Sequence, residues 1–148
     1  MPKRITMVLV TLPFLAALVL LPGANAKPGV GPCDLAGRSR ETIHHLMKRR
    51  ITCAAVRFGP IPGGAERAIC IAKRESGLDP SAESATGMYL GLYQQARKYW
   101  PDRYDAWTQT SWQLSGNAKN GRTNSVVTIR MVHGAGSWKA AGWPPKGC

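Results

Sequence analysis

The chain has 148 residues, of which 44% are hydrophobic and 19% are charged. This length supports one domain with a short extension, and it excludes a TIM barrel, a complete dinucleotide-binding enzyme or a kinase. The chain carries 20 Lys and Arg against 8 Asp and Glu, a formal net charge of +12. Its 5 Trp and 4 Tyr supply aromatic surface for a compact core or for the lining of a groove. Disordered chains have few aromatic residues, so this content indicates a folded protein.

The N-terminus has the order of a secretory signal peptide. A basic start precedes an apolar run over residues 5–21, which a helix-breaking Pro22-Gly23 pair ends. Small residues then follow at 24–26, so we expect cleavage after Ala26. Retention as an N-terminal anchor is the alternative.

We therefore divide the chain into three parts. Residues 1–26 are the signal peptide, 27–37 are an extended Gly- and Pro-rich lead-in, and 38–148 are the folded domain. The expected location is secreted or cell-wall-associated, with no membrane contact after cleavage.

Four cysteines follow the predicted cleavage point: Cys33, Cys53, Cys70 and Cys148. An even number in an exported chain indicates two disulfides, and the three possible pairings stay open. A zinc site is the alternative, but no cysteine pair has the close spacing of a zinc knuckle. We assign no metal and no cofactor.

Helical periodicity predicts two helices in the first half of the domain. The first begins at a Ser39 N-cap and keeps apolar residues at helical spacing as far as Ile51. A Gly- and Pro-rich loop over 58–64 separates it from a second helix over about 65–76, which Gly77 should end.

The second half of the domain gives weaker signals. We expect a loop or short hairpin over 79–91, a helix over 93–100 that ends at the following proline, and a short helix over 102–112. The segment 125–133, with Asn124 as its cap, fits a helix or a strand because it is rich in β-branched residues. We expect the C-terminal tail, which contains Trp138 and Trp143, to lack regular secondary structure.

Glu75 is the residue that periodicity singles out. It continues the apolar face that Ala68 and Ala72 define, and it lies in the last helical turn. Partial burial and the negative end of the helix dipole both disfavour a charged carboxylate there. A general acid must carry a proton, so these two effects favour that role. Lys73 and Arg74 oppose this if they reach it. On position alone, a structural hydrogen-bonding role is the alternative.

A set of fixed spacings follows this glutamate. Glu75-Ser76 precedes an Asp79-Pro80 turn, Gly87 comes twelve residues after the glutamate, and a Gly91-Leu92-Tyr93-Gln94 element comes next. This pattern, over about residues 68–94, resembles the soluble lytic transglycosylases, a family of the lysozyme-like superfamily that cleaves peptidoglycan. The run Cys-Ile-Ala-Lys-Arg-Glu-Ser that ends at Ser76 is similar to exported actinobacterial members.

Two elements depart from the family pattern. The Gly-Leu-x-Gln element lies about one residue later than in its commonest form. The family usually has an Ala-Tyr-Asn-x-Gly element facing the glutamate, whereas the nearest counterpart here is the stretch 131–136, without Tyr-Asn.

The resemblance implies a mainly α, lysozyme-like α+β fold of two small lobes around a glycan cleft. It implies that Glu75 protonates the oxygen between N-acetylmuramic acid and N-acetylglucosamine, then draws the proton from the muramyl C6 hydroxyl, which leaves a 1,6-anhydro product. The residues expected to bind or position the glycan are Ser76, Gly87, Tyr89, Leu92, Tyr93, Gln94 and His133. For Ser76, a hydrogen bond to the backbone is the alternative, and Leu92 and Tyr93 either line the cleft or pack beneath it.

Two other functions stay open. One is a lysozyme-type hydrolase with a second carboxylate, Glu83, Asp102 or Asp105. The other is a catalytically inactive wall-binding protein. The expected partners are peptidoglycan strands and anionic wall polymers, which the positive charge attracts; we expect a monomer and no nucleic acid. Two or three aromatic residues should line the groove, from Tyr89, Tyr93, Trp100, Trp107, Trp112, Trp138 and Trp143.

Overall fold

The structure, a computed structural model, describes Cys33 and residues 41–148. The expected signal peptide, most of the lead-in and the Ser39 cap lie outside the described residues. The elements in chain order are α1 (Ile43–Phe58), α2 (Gly64–Ser76), β1 (Tyr89–Leu90), β2 (Gln95–Ala96), a 3-10 turn (Arg97–Tyr99), α3 (Trp100–Trp107) and α4 (Gly121–Ala135). About half of the described chain is helical, so the expectation of a mainly α protein with a small β piece is confirmed.

The first two helices follow their local signals. Thr42 caps α1, and its side chain accepts a hydrogen bond from the backbone N–H of His45 at 3.3 Å. Helix α2 covers the expected residues and ends at Gly77, which adopts a left-handed conformation (φ 67°) and donates its N–H to the carbonyl of Lys73. A glycine takes this conformation without the Cβ clash that other residues suffer.

The expected helix over 93–100 is wrong. Strands β1 and β2 pair antiparallel there, with Tyr89 opposite Ala96 and Leu90 opposite Gln95. A helix is interrupted because Gln94 has a positive φ of 48°, and because the buried Gln95 side chain donates to Thr128 Oγ1 at 2.7 Å. Contacts with a distant helix therefore override the local pattern.

The expected helix over 102–112 is displaced. It begins earlier, at Trp100, with Pro101 in its first turn, where the missing N–H of proline has no intrahelical partner to lose. It ends at Trp107, and the residues that follow form an irregular segment with bends.

Helix α4 settles the choice between helix and strand. Asn120 is its cap: its side chain accepts hydrogen bonds from the N–H groups of Arg122 and Thr123, both at 3.1 Å. The expected Asn124 cap is therefore wrong, because Asn124 lies inside the helix and is buried. The β-branched residues tolerate the helix because nearly all positions over 121–129 are buried, and tertiary packing stabilises helices more than propensity does.

Helix α4 packs chiefly on α1, and α1 also packs on α2. The main core lies among these three helices and includes the buried Trp138 and Trp143 of the tail. A smaller core gathers Leu90, Trp100 and Val127. Among the described helices, none combines the length and the apolar character that crossing a membrane requires.

Two disulfides are present, as expected. One joins Cys33 to Cys53 in α1, and the other joins Cys70 in α2 to Cys148. The second bridge fastens the tail to the helix that carries Glu75.

Candidate active site

Glu75 lies at the edge of a cavity of about 420 Å³ near the C-terminal end of α2. Its side chain keeps 26% of its surface exposed, so solvent and a ligand reach it. Three parts of the chain form the cavity: α2, the hairpin and the tail. The lining residues are Glu75, Tyr89, Gln94, Gly142, Trp143 and Pro144.

Arg74 connects Glu75 to the tail. Its Nη2 and Nε donate to Glu75 Oε1 at 2.7 and 3.1 Å. Its Nη1 donates to the carbonyls of Pro144 and Lys146, both at 2.8 Å. The guanidinium is thus fixed by two backbone acceptors while it holds one oxygen of the carboxylate.

The hydroxyl of Ser76 lies against backbone acceptors. Its Oγ is 2.8 Å from the carbonyl oxygen of Leu92 and 3.1 Å from that of Ala72. These contacts join the end of α2 to the turn between the two strands. The structure therefore places Ser76 in the alternative, backbone-bonding role, outside the cavity lining.

Tyr89 connects the Glu75 cavity to a second, larger cleft. Its side chain is 45% exposed and lines both spaces. The larger cleft has a volume of about 690 Å³, and Gly87, Lys98 and Tyr99 also line it. Tyr99 was not among the seven aromatic residues that the sequence analysis named. Tyr89 therefore lies between the two spaces, and Gly87 lines the larger cleft only.

Gln94 lies at the cavity, as expected. Its positive φ directs the turn, and its Nε2 donates to the carbonyl of Gly91 at 3.0 Å. Gly91 has φ 74°, and a Cβ at this position would come within 2.3 Å of the Ala118 carbonyl oxygen. The turn that presents Gln94 thus depends on a glycine at 91.

Three residues expected to bind the glycan lie elsewhere. Leu92 and Tyr93 are fully buried in the main core, so they pack beneath the groove and do not line it. The Tyr93 hydroxyl donates to the Ala68 carbonyl at 3.0 Å, and burial raises the pKa of this phenol well above its usual value. His133 is exposed at the end of α4, where its Nδ1 contacts the Pro60 carbonyl oxygen at 2.8 Å, and it does not line the cavity.

The candidates for a second carboxylate are outside the cavity. Glu83 is ion-paired with Arg97 at 2.7 Å and with Lys119 at 2.6 Å. The hydrogen bond from Lys119 is the main cause that lowers the pKa of Glu83. Asp102 lies in the first turn of α3, and Asp105 is exposed on the same helix. Among the described residues that line the cavity, Glu75 is the one carboxylate.

The tail forms a wall that the sequence did not reveal. Of the seven aromatic candidates, Tyr89 and Trp143 line the cavity, and the indole N–H of Trp143 donates to the Tyr93 carbonyl at 2.8 Å. Cys148 was the sequence feature that could have indicated this wall, because its bond to Cys70 holds the tail against α2. That signal was ambiguous, because four cysteines allow three pairings.

Comparison with protein-family models, with curated proteins and with solved structures finds no match for this chain. The structure contains no group of three or more His, Cys, Asp or Glu placed to hold a metal ion, within Cys33 and residues 41–148. The geometry of the cavity is therefore the basis for assigning a function.

Proposed function

We propose that this protein is an exported lytic transglycosylase that cleaves the β-1,4 bond between N-acetylmuramic acid and N-acetylglucosamine in peptidoglycan. The observation that carries the proposal is a single, partly exposed carboxylate in a cavity beside exposed aromatic surface. Tyr89 offers an exposed surface for the apolar face of a sugar ring, and Gln94 offers hydrogen-bonding groups. Trp143 is largely buried and forms part of the cavity wall.

A one-carboxylate mechanism would use the oxygen of Glu75 that Arg74 does not hold. Arg74 does reach the carboxylate, which is the contact that opposes a general acid here, and its hydrogen bonds go to Oε1. Oε2 receives no hydrogen bond from a described residue, so we assign the proton transfers to Oε2. Oε2 protonates the glycosidic oxygen as the bond to the muramyl C1 breaks. The same oxygen then accepts the proton of the C6 hydroxyl as O6 bonds to C1, which closes the 1,6-anhydro ring and regenerates the acid.

The hydrolase alternative needs a second carboxylate or a positioned water on the opposite face of the sugar. Glu83 is the nearest candidate in sequence, but both of its oxygens are held by cations and it does not line the cavity. The described lining therefore supplies no second carboxylate for hydrolysis, and we propose the C6 hydroxyl as the nucleophile.

The decisive experiment is mass spectrometry of purified peptidoglycan after incubation with the oxidised protein. We expect muropeptides that are lighter by one water than hydrolysed ones. The variant Glu75→Gln, which keeps the shape of the side chain and loses its acid chemistry, should lower the rate by at least about a hundredfold.

Glu66→Gln is the matched control, because Glu66 is exposed in the first turn of the same helix. It should leave the rate unchanged. Hydrated products that disappear in Glu75→Gln would make the enzyme a hydrolase with the same acid. A folded protein that binds peptidoglycan and yields no products would make it a wall-binding protein.

A further inference from the structure

Arginines crowd a second part of the surface. Arg50 of α1 lies near Arg122 of α4, and both Nε atoms are buried with no hydrogen-bond partner among the described residues. Burial is the main cause that lowers the pKa of Arg50, and repulsion from Arg122 adds to it. Two positive charges are therefore held together in partly desolvated positions, which costs free energy unless an anion is present.

The start of α4 adds a third source of positive potential. Arg122 is the second residue of this helix, and the first turn contains no acidic residue. The positive end of the helix dipole favours anions there and disfavours a guanidinium. The acidic residue whose charge acts on Arg50, Glu41, is bound to Arg49, whose Nε donates to Glu41 Oε1 at 2.7 Å.

Two aromatic rings connect Arg122 to a small cavity. The Arg122 guanidinium lies 4.5 Å from the Trp112 ring centroid, and Trp112 contacts Phe58 edge-on at 5.1 Å. Arg130 lies 5.5 Å from the Phe58 ring centroid. Phe58, Trp112 and Arg130 line a cavity of about 320 Å³ together with Arg57, Thr110 and Ser111.

This cavity is separate from the candidate active site. It shares no lining residue with the Glu75 cavity or with the cleft beside Tyr89, and none of its lining residues is acidic. We call Arg50, Arg57, Arg122 and Arg130, with Phe58 and Trp112, the arginine surface.

We infer that the arginine surface is a binding site for the phosphate groups of an anionic phosphodiester polymer. The cations are all arginines, whose planar forks bind phosphate oxygens in pairs, and the hydroxyls of Thr110 and Ser111 add hydrogen-bonding groups in the cavity. An anion beside Arg50 and Arg122 would relieve their mutual repulsion.

The aromatic rings favour a polyol phosphate over a nucleic acid. Phe58 and Trp112 pack against the main core, and their remaining surfaces carry Arg130 and Arg122. Bases of a single strand need free aromatic faces for stacking. Here the rings hold the guanidinium groups in place. The polymer would therefore be recognised through the charge of its phosphates and not through base stacking.

The test is calorimetric titration of the oxidised protein with poly(glycerol phosphate) at low ionic strength. We expect saturable binding that weakens as salt is added. The double variant Arg50→Gln/Arg122→Gln should bind about a hundredfold more weakly, about tenfold for each arginine. We expect it to fold, because the repulsion that it loses offsets the contact between Arg122 and Trp112 that it also loses.

The matched control is Lys73→Gln/Lys139→Gln, which removes the same charge from two exposed positions outside the arginine surface. It should lower the affinity by no more than about threefold. Arg122→Gln alone provides a second test if the double variant fails to fold, with a loss of about tenfold.

Four outcomes would overturn the inference. An equal loss of affinity in both double variants would show that the binding depends on net charge and not on these arginines. Equal affinity for polyglutamate of matched charge would remove the preference for phosphate, and inorganic phosphate binding as tightly as the polymer would assign the site to the free ion. Tighter, arginine-dependent binding of an oligonucleotide would assign it to nucleic acid. None of these outcomes depends on whether Glu75 cleaves glycans.

Discussion

At the scale of single residues, buried amide side chains replace regular backbone pairing around the hairpin. Asn124 Oδ1 accepts from the Tyr93 N–H at 3.0 Å, and its Nδ2 donates to the Ala118 carbonyl at 2.8 Å. Gln95 instead bonds side chains: its Nε2 donates to Thr128 Oγ1 at 2.7 Å, and its Oε1 accepts from Arg103 Nη1 at 2.6 Å. Periodicity places such residues on a helix or strand, but it cannot say which distant backbone groups they satisfy.

We expect Asn124→Ala to lower the free energy of unfolding by about 3 kcal/mol or more, because it leaves two buried backbone groups without partners. Urea unfolding measures the change. Asn117→Ala is the control, since Asn117 is exposed and its side chain accepts one hydrogen bond, from the Lys119 N–H. A loss no larger than that of the control would show that Asn124 is not needed for this turn.

At the scale of elements, the sequence predicts those helices and helix ends that depend on residues close together in the chain. Helix α2 and its Gly77 terminus follow from apolar spacing and a glycine stop, and this suffices to place Glu75 at a helix end. The start of α4 is set locally, by the Asn120 cap. The hairpin is decided by contacts between residues about 30 apart in the chain, such as Tyr93 with Asn124. Propensity within a window carries no information about such contacts.

The loop after α2 should make stability depend on acid. The side-chain and backbone hydrogen bonds from Ser81 are the main causes that lower the pKa of Asp79 below its ordinary value of 3.8. A lowered pKa in the folded state stabilises the protein above the ordinary value, and this stabilisation is lost as the pH falls through the lowered one. Unfolding free energies measured between pH 7 and pH 2 should therefore decline less steeply in Asp79→Asn.

Asp105→Asn, at an exposed position on α3, should keep the acid dependence of the parent. An unchanged slope in Asp79→Asn would mean that the Ser81 contacts persist in the unfolded chain or contribute nothing to stability.

At the scale of the whole molecule, the candidate site depends on a long-range connection. Glu75 and the Pro144 wall are joined by Arg74 and by the Cys70–Cys148 bridge. The sequence located the glutamate, the hairpin side and the number of bridges, but not the tail as the opposite wall. Distant segments meet through pairings that a linear pattern leaves open.

The two bridges should differ in their effect on stability. Cys70–Cys148 spans 78 residues of sequence and Cys33–Cys53 spans 20, so the first restricts the unfolded chain more. Replacing Cys70 and Cys148 with serine should lower the free energy of unfolding by about 4 kcal/mol, about 1 kcal/mol more than the same change at Cys33 and Cys53. Parallel urea titrations test this order, and the reverse order would contradict it.

The tail wall has a consequence for the order of synthesis. A polypeptide emerges from its N-terminus onward, so Glu75 is made well before Gly142, Trp143 and Pro144, which close its cavity. A nascent chain, or one clipped ahead of residue 142, contains the carboxylate and the hairpin but no complete cavity. The acid group is therefore present long before the chain has a place to hold a ligand against it.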